Sequence, residues 1–191
     1  IILVGQKSGM VYALDPANNG ALIWEQRAGS GGTMGGIHYG MSTNAEKVFV
    51  GVSDLPTNNP YNVGPAHPGV HALSLSTGEV VWRNDLPNKC EESPFLCWQG
   101  ISAAVSSTAD LVFAGGLDGI LRAFDTEDGS ILWETNTRQS FGTRNGIEAR
   151  GGSIESDGPV IVNGQVFITS GYEKWGEAPG NVLLVYSLNG E

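Results

Sequence analysis

Three copies of a short unit ending in tryptophan, apolar runs of strand length parted by turn residues, and the lack of sustained helical periodicity predict an all-β chain. Its expected architecture is a β-propeller with four-stranded antiparallel blades. The unit reads Ala-x-Asp/Ser, then a turn glycine, then Trp four residues beyond that glycine. It occurs at Ala13, Asp15, Gly20 and Trp24, at Ala72, Ser74, Gly78 and Trp82, and at Ala123, Asp125, Gly129 and Trp133. A further copy starts at Leu183 and runs through Tyr186, Ser187 and Asn189-Gly190 to Glu191, ahead of any tryptophan.

The third copy shows its upstream strands most clearly, at 101–107, 111–114, 120–124 and 131–134. Each run is strand-length and bounded by turn residues. Runs 48–52 and 166–170 are the corresponding second strands of two other units, and 2–5 supplies that of the first. The expected units are therefore about 1–29, 30–87, 88–137 and 138–191, with three, four, four and three strands. Propellers close as rings, so about four blades imply a larger ring of seven or eight, completed by further blades of the protein or by another copy. Trp24, Trp82 and Trp133 are expected to dock across the gap to a neighbouring blade, where a large ring buries much apolar area. Asp15 and Asp125 fit the role of turn caps, accepting from nearby backbone amides.

Composition agrees with many short strands and tight turns: 28 glycines, 9 prolines, and five each of Trp and Tyr in 191 residues. Twenty acidic against ten basic side chains give a formal charge of -10, which repels nucleic-acid phosphates and anionic lipid. Neither nucleic acid nor membrane insertion is expected, since no apolar run approaches the roughly 20 residues of a membrane span. The opening Ile1-Ile2-Leu3-Val4-Gly5 lacks signal-peptide features and reads as a strand already under way. Cys90 and Cys97 suit a local disulfide formed in an oxidising compartment, with free loop thiols as the alternative. No second Cys or His pair lies at zinc-ligand spacing, and no metal site is read from the residues.

Loop lengths divide the two faces. Connections at 28–36, 54–69, 85–100, 136–158 and 171–180 are long and all emerge on one face, while the turns on the other, such as 107–110 and Asn163-Gly164, are short. Long loops within compact folds are commonly functional, which places a ligand over the axis of that face. They and the residues that directly follow the first of them carry His38, Tyr39, Trp98, Gln99, Arg144, Asn145, Glu148, Arg150, Ser153 and Trp175, none of which belongs to the repeat. Gly35-Gly36-Ile37-His38-Tyr39-Gly40 and Arg150-Gly151-Gly152-Ser153 stand out, because flanking glycines let a backbone approach a planar ligand closely. Rossmann, Walker-type and Gly-x-Ser-x-Gly patterns are absent.

With these residues in view, the chain resembles the pyrroloquinoline quinone (PQQ) propeller repeats and, among them, the C-terminal half of polyvinyl-alcohol dehydrogenases. The resemblance is carried by Gly35 to Met41, Ser102-Ala103-Ala104-Val105, Phe113 to Gly119, Ala149-Arg150-Gly151-Gly152-Ser153-Ile154, Ser170-Gly171-Tyr172 and Ala178-Pro179-Gly180-Asn181. It implies a periplasmic or secreted quinoprotein that oxidises secondary alcohols, small or polymeric, and passes electrons from PQQ to a cytochrome-type acceptor. Ca²⁺ can accompany PQQ in such enzymes; no Cys-x-x-Cys-His is present, so haem c would sit in another part of the protein or in a partner. By resemblance, Arg150 pairs with a PQQ carboxylate or quinone oxygen and Trp98 or Trp175 stacks on its rings. His38 bonds to it or assists removal of the alcohol proton, with Gly151 and Ser153 alongside. The alternative is a non-catalytic propeller scaffold that binds protein partners, since the same repeats occur in envelope lipoproteins; sugar binding through the aromatics is a third reading.

Overall fold

The computed structural model describes residues 1–55, 62–90 and 93–188; Asn189-Gly190 and Glu191 of the last repeat lie outside them. Among the described residues the structure is all-β apart from a single 3-10 turn at Pro16–Asn18, where Asp15 Oδ1 accepts from Ala17 N at 2.9 Å. Strands β1 (Ile2–Gly5), β2 (Met10–Asp15) and β3 (Ala21–Arg27) form the first antiparallel sheet. The second contains β4 (Met41–Thr43), β5 (Lys47–Val52), β6 (Gly69–Ser74) and β7 (Val80–Asp85) in order. The third contains β8 (Ser106–Ser107), β9 (Leu111–Gly115), β10 (Ile120–Asp125) and β11 (Ile131–Asn136). A small hairpin of β12 (Ser140–Phe141) and β13 (Ala149–Arg150), unforeseen in the sequence, precedes the last sheet. That sheet is β14 (Val160–Val162), β15 (Gln165–Ser170) and β16 (Val182–Ser187).

Consecutive sheets stack face to face with apolar layers between them. Val11, Ala13 and Trp24 meet Val48, Val50 and Leu73 in the first layer. Phe49, Val70 and Trp82 meet Val112, Ala114 and Phe124 in the second, and Phe113 and Leu121 meet Val166, Ile168 and Leu184 in the third. Alternation along a strand sends Val48 and Val50 to one neighbour and Phe49 to the other, so a middle sheet is buried on both faces. The short innermost strands lie side by side, β4 against β8 and β8 against β14. Ser107 Oγ donates to Thr43 O at 3.2 Å across the first of these contacts. This radial stacking is the arrangement of consecutive propeller blades.

The recurring tryptophan has a specific cause. Ala13, Ala72 and Ala123 sit directly across the ladder from Trp24, Trp82 and Trp133, and the register shifts immediately after each alanine. The bulge sharpens local twist at the outer strand and re-aims the indole toward the following sheet. Trp24 Nε1 donates to Leu75 O at 3.1 Å and Trp82 Nε1 to Thr126 O at 3.0 Å, each carbonyl lying in the next sheet's outer turn. Beneath them lie Gly78 and Gly129, at φ of 76° and 74°. A β-carbon on Gly78 would come within 2.5 Å of the Trp24 ring. Trp133 instead meets Tyr186 edge-on, with ring centroids 5.2 Å apart, and stays 39% exposed.

A second repeat joins the sheets on the loop-rich face. Ile37, Ile101 and Ile154 are buried, and their amides donate to Gln6 O, Val52 O and Gly116 O at the end of the preceding sheet's long second strand. Each isoleucine fills the space that a side chain would need at Gly5, Gly51 or Gly115. The preceding carbonyls, of Gly36, Gly100 and Ser153, accept from Ser53 N, Leu117 N and Gly171 N. Long loops are thereby stitched to sheet ends at fixed points.

Candidate functional site

The residue after each of these isoleucines is His38, Ser102 or Glu155. One repeat position in three consecutive blades thus supplies three polar side chains that meet one another. His38 Nδ1 is 2.8 Å from Ser102 Oγ, and Ser102 Oγ is 3.5 Å from Glu155 Oε1. His38 Nε2 donates to Gly35 O at 2.9 Å, because a carbonyl can only accept. These residues line a cavity of about 440 Å³ on the loop-rich face, together with Lys7, Tyr39, Trp98, Lys174 and Trp175. The lining comes from loops spread along the chain: Lys7 from the β1–β2 turn, His38 from β3–β4, Trp98 and Ser102 from β7–β8, Leu117 from β9–β10, Glu155 from β13–β14, and Lys174 and Trp175 from β15–β16.

Burial governs the electrostatics. It lowers the His38 pKa, with Lys7 adding to the effect, while the Gly35 carbonyl and Asp54 act in the opposite direction. Burial also pushes the Glu155 carboxyl above its ordinary range, and the negative charge of Glu177 reinforces this. Glu177 is itself buried; its Oε2 accepts from Trp175 N at 2.8 Å and Lys174 N at 3.3 Å, and its Oε1 has no partner. That carboxylate holds the Lys174-Trp175 turn over the cavity, where Trp175 is 64% exposed with the Lys174 ammonium 5.9 Å from its ring. An exposed indole in a cavity that two lysines also line suits a planar anionic ligand.

Of the residues singled out in the sequence, the structure brings His38, Trp98 and Trp175 together. Trp98 is almost wholly buried, its Nε1 donating to Ser53 O at 2.7 Å, so it forms wall rather than open face. Just ahead of it, Cys90 and Cys97 form a disulfide with Cα atoms 5.6 Å apart. The neighbouring Leu96 N donates to Gly176 O at 3.0 Å, which ties this loop to the Trp175 turn. Arg150 lies in β13 with an exposed side chain and its backbone held by Asn181, whose amide donates to Arg150 O. Gly151 is packed against Thr137 O. Ser153 is buried, its hydroxyl donating to Leu117 O at 2.8 Å and accepting from Ala178 N at 3.1 Å. Arg150, Gly151 and Ser153 do not line the cavity.

Lys7, Ser102, Glu155 and Lys174 were not expected as site residues, although Ser102 stands in one of the stretches that carry the resemblance. Ser102 and Glu155 were findable by aligning the repeats on Ile37, Ile101 and Ile154. Asp54 escaped as well: its fully buried carboxylate accepts from the amides of Ser30, Gly31, Gly36 and His67 at 2.6 to 3.2 Å, fixing the loop that carries His38.

A family profile described as outer membrane protein assembly factor BamB matches residues 7–99. The chain is 41% identical over 200 residues to a polyvinylalcohol dehydrogenase of a Pseudomonas species, covering 100% of this chain and 30% of that protein. It is 40% identical over 202 residues to the polyvinylalcohol dehydrogenase of a Sphingopyxis strain, with the same coverage. The chain therefore spans 30% of the length of these curated relatives. Among solved structures, a europium-containing methanol dehydrogenase superposes over 98% of this chain and 38% of its own, with a TM-score of 0.63 and 14% identity. At that identity the likeness concerns the fold. No helix among the described residues is long and apolar enough to cross a membrane.

Proposed function

From the premise that this chain belongs to the PQQ-type β-propeller repeat family, we propose that it is the cofactor-cradling part of a PQQ-dependent alcohol dehydrogenase. The observation that carries this reading is the single cavity in which Lys7, Lys174, the open face of Trp175 and the His38–Ser102–Glu155 chain converge. PQQ is a planar quinone bearing carboxylates, and the donor set fits it: ammonium groups for the carboxylates, an indole for the rings, a cavity of about 440 Å³. When bound, the quinone supplies the two-electron oxidising chemistry.

The chain's own residues bind, orient and exclude water. Trp98, Gly151 and Ser153 fix the loops that bear these groups, and His38 and Glu155 give the cavity its titratable side chains. Arg150 remains proposed as a carboxylate partner from the hairpin side. The finer reading is oxidation of secondary alcohols in the periplasm or outside the cell, with electrons leaving to a cytochrome-type acceptor and Ca²⁺ accompanying PQQ. The four blade units near 1–29, 30–87, 88–137 and 138–191 would be part of a larger ring. The match to the BamB profile over residues 7–99 favours one rival, a protein-binding scaffold.

Titration of the chain with PQQ, followed by tryptophan fluorescence, separates the two. Saturable quenching supports the dehydrogenase reading; no change up to millimolar PQQ, with saturable binding of a peptide, overturns it.

A further inference from the structure

His38 is the natural candidate for a proton acceptor, yet both of its ring nitrogens are already engaged. Gly35 O accepts from Nε2, so that nitrogen carries a hydrogen whenever the 2.9 Å contact stands. Neutral His38 then has a bare Nδ1, and its 2.8 Å contact requires the one hydrogen of the Ser102 hydroxyl. That hydrogen cannot also serve Glu155, which lies at 3.5 Å, the outer limit of a hydrogen bond. Glu155 is left facing a serine oxygen whose lone pairs are free and whose hydrogen is committed elsewhere.

We propose that Glu155 is the proton acceptor of the cavity and that Ser102 and His38 are positioning residues, aligned so that Ser102 accepts the captured proton's hydrogen bond. In the step this serves, the O–H bond of a bound alcohol breaks and its proton passes to the Glu155 carboxylate. The electron pair left on oxygen forms the C=O bond as hydride leaves the carbinol carbon for a quinone oxidant. Glu155, now a carboxylic acid, donates to Ser102 Oγ and the 3.5 Å contact closes. His38 keeps its Nε2 hydrogen throughout.

The charged surroundings agree in direction. Burial and Glu177 raise Glu155, Glu173 adds to this, and Lys174 opposes it; a carboxyl raised toward neutrality is a better matched base. A donated Ser102 hydrogen would lower Glu155, but His38 holds that hydrogen. Burial and Lys7 lower the His38 pKa, against Asp54 and the Gly35 carbonyl. The alcohol as proton source rests on the dehydrogenase reading, whereas the order of hydrogen bonds does not.

The test is a ¹³C and ¹⁵N NMR pH titration of the 191-residue chain without cofactor, with the Glu155 carboxyl assigned through Glu155→Gln. Wild-type His38 should be the Nε2–H tautomer at neutral pH. Ser102→Ala should lower the Glu155 pKa by about half a unit or more, because the acid form loses its acceptor. His38→Phe should also lower it, because the freed serine hydrogen turns to the carboxylate, and Ser102→Thr should restore it. A rise or no change in Ser102→Ala, or an Nδ1–H tautomer in the wild type, overturns the proposal. The Nδ1–H tautomer in the wild type overturns it even if a variant fails to fold, and Ser102→Thr supplies a conservative variant for the pKa readout. A PQQ titration that fails leaves this result standing, so the two readings fall separately.

Discussion

Trp82 lies against Gly129 of the following sheet, so close that a β-carbon on the glycine would overlap the indole six-membered ring. The same glycine turns the chain at φ 74°. Gly20 has the same φ of 74° with nothing near its missing side chain. Gly20→Ala should therefore cost about 1 kcal/mol through backbone strain alone. Gly129→Ala should cost about 3 kcal/mol, since the indole must also move from its bond to Thr126 O. Urea unfolding of both variants reads the difference; equal losses would mean that the tryptophan contact contributes nothing beyond the turn.

This pairing shows what the sequence makes legible and where it stops. Trp24, Trp82 and Trp133 keep a constant spacing from their turn glycines because a two-residue-period ladder and one bulge fix it, so the blades can be read directly. The site hangs on Ile37, Ile101 and Ile154, which follow those tryptophans by 13, 19 and 21 residues. Loops of unequal length break the period, so His38, Ser102 and Glu155 do not look equivalent until the isoleucines are seen plugging Gly5, Gly51 and Gly115. Glycine-flanked Gly151 and Ser153 drew attention as ligand contacts, yet in the structure Gly151 packs on the Thr137 carbonyl and the Ser153 hydroxyl bonds to Leu117 O and Ala178 N. Lys7 and Lys174 carry no local signal, since only the radial closure of separate sheets brings their turns over one cavity.

The Cys90–Cys97 disulfide closes a short loop ahead of Trp98, and chain-entropy arguments give such a loop about 2 kcal/mol. Replacing both cysteines by serine should lower unfolding stability by that amount. It should also increase hydrogen exchange at Leu96, whose amide bonds to Gly176 O. Reduction of the wild type with dithiothreitol should reproduce the double variant; unchanged exchange at Leu96 would show that the bridge does not hold the Trp175 turn.

Asp85 gives the chain an acid-sensitive contact. His67 Nδ1 lies 2.8 Å from Oδ2, and His71 Nε2 lies 3.3 Å from Oδ1 without the alignment of a good hydrogen bond. The contact with buried His71, then that with His67, holds the Asp85 pKa down to about 2 from 3.8, against an opposing effect of burial. A folded-state pKa below the unfolded one stabilises above the unfolded value and is lost as pH falls from about 4 through about 2. With the Asp85 side chain 48% exposed, solvent screening leaves about 1 kcal/mol of the full linkage energy. Asp85→Asn should be less stable by that amount at pH 6 and should lack this part of the decline below pH 4. Parallel pH profiles for the two proteins would rule the contact out as its source.

On the proposed function, the two lysines that line the cavity should decide affinity for PQQ. Lys7 and Lys174 come from the first and last sheets, so a planar carboxylate-bearing quinone seated on Trp175 would meet an ammonium from each. Each of Lys7→Ala and Lys174→Ala should weaken PQQ binding about tenfold, equivalent to about 1.4 kcal/mol for an ammonium–carboxylate contact at a partly exposed site. Added salt should weaken wild-type binding and narrow the gap to the variants. Trp175→Phe should retain affinity within a few fold while removing most of the fluorescence quenching, because Trp24, Trp82 and Trp98 are buried and the part-exposed Trp133 does not line the cavity. Arg150→Ala provides the contrast: a loss larger than that of either lysine variant would seat the carboxylates on the β12–β13 hairpin instead of over the His38–Ser102–Glu155 chain.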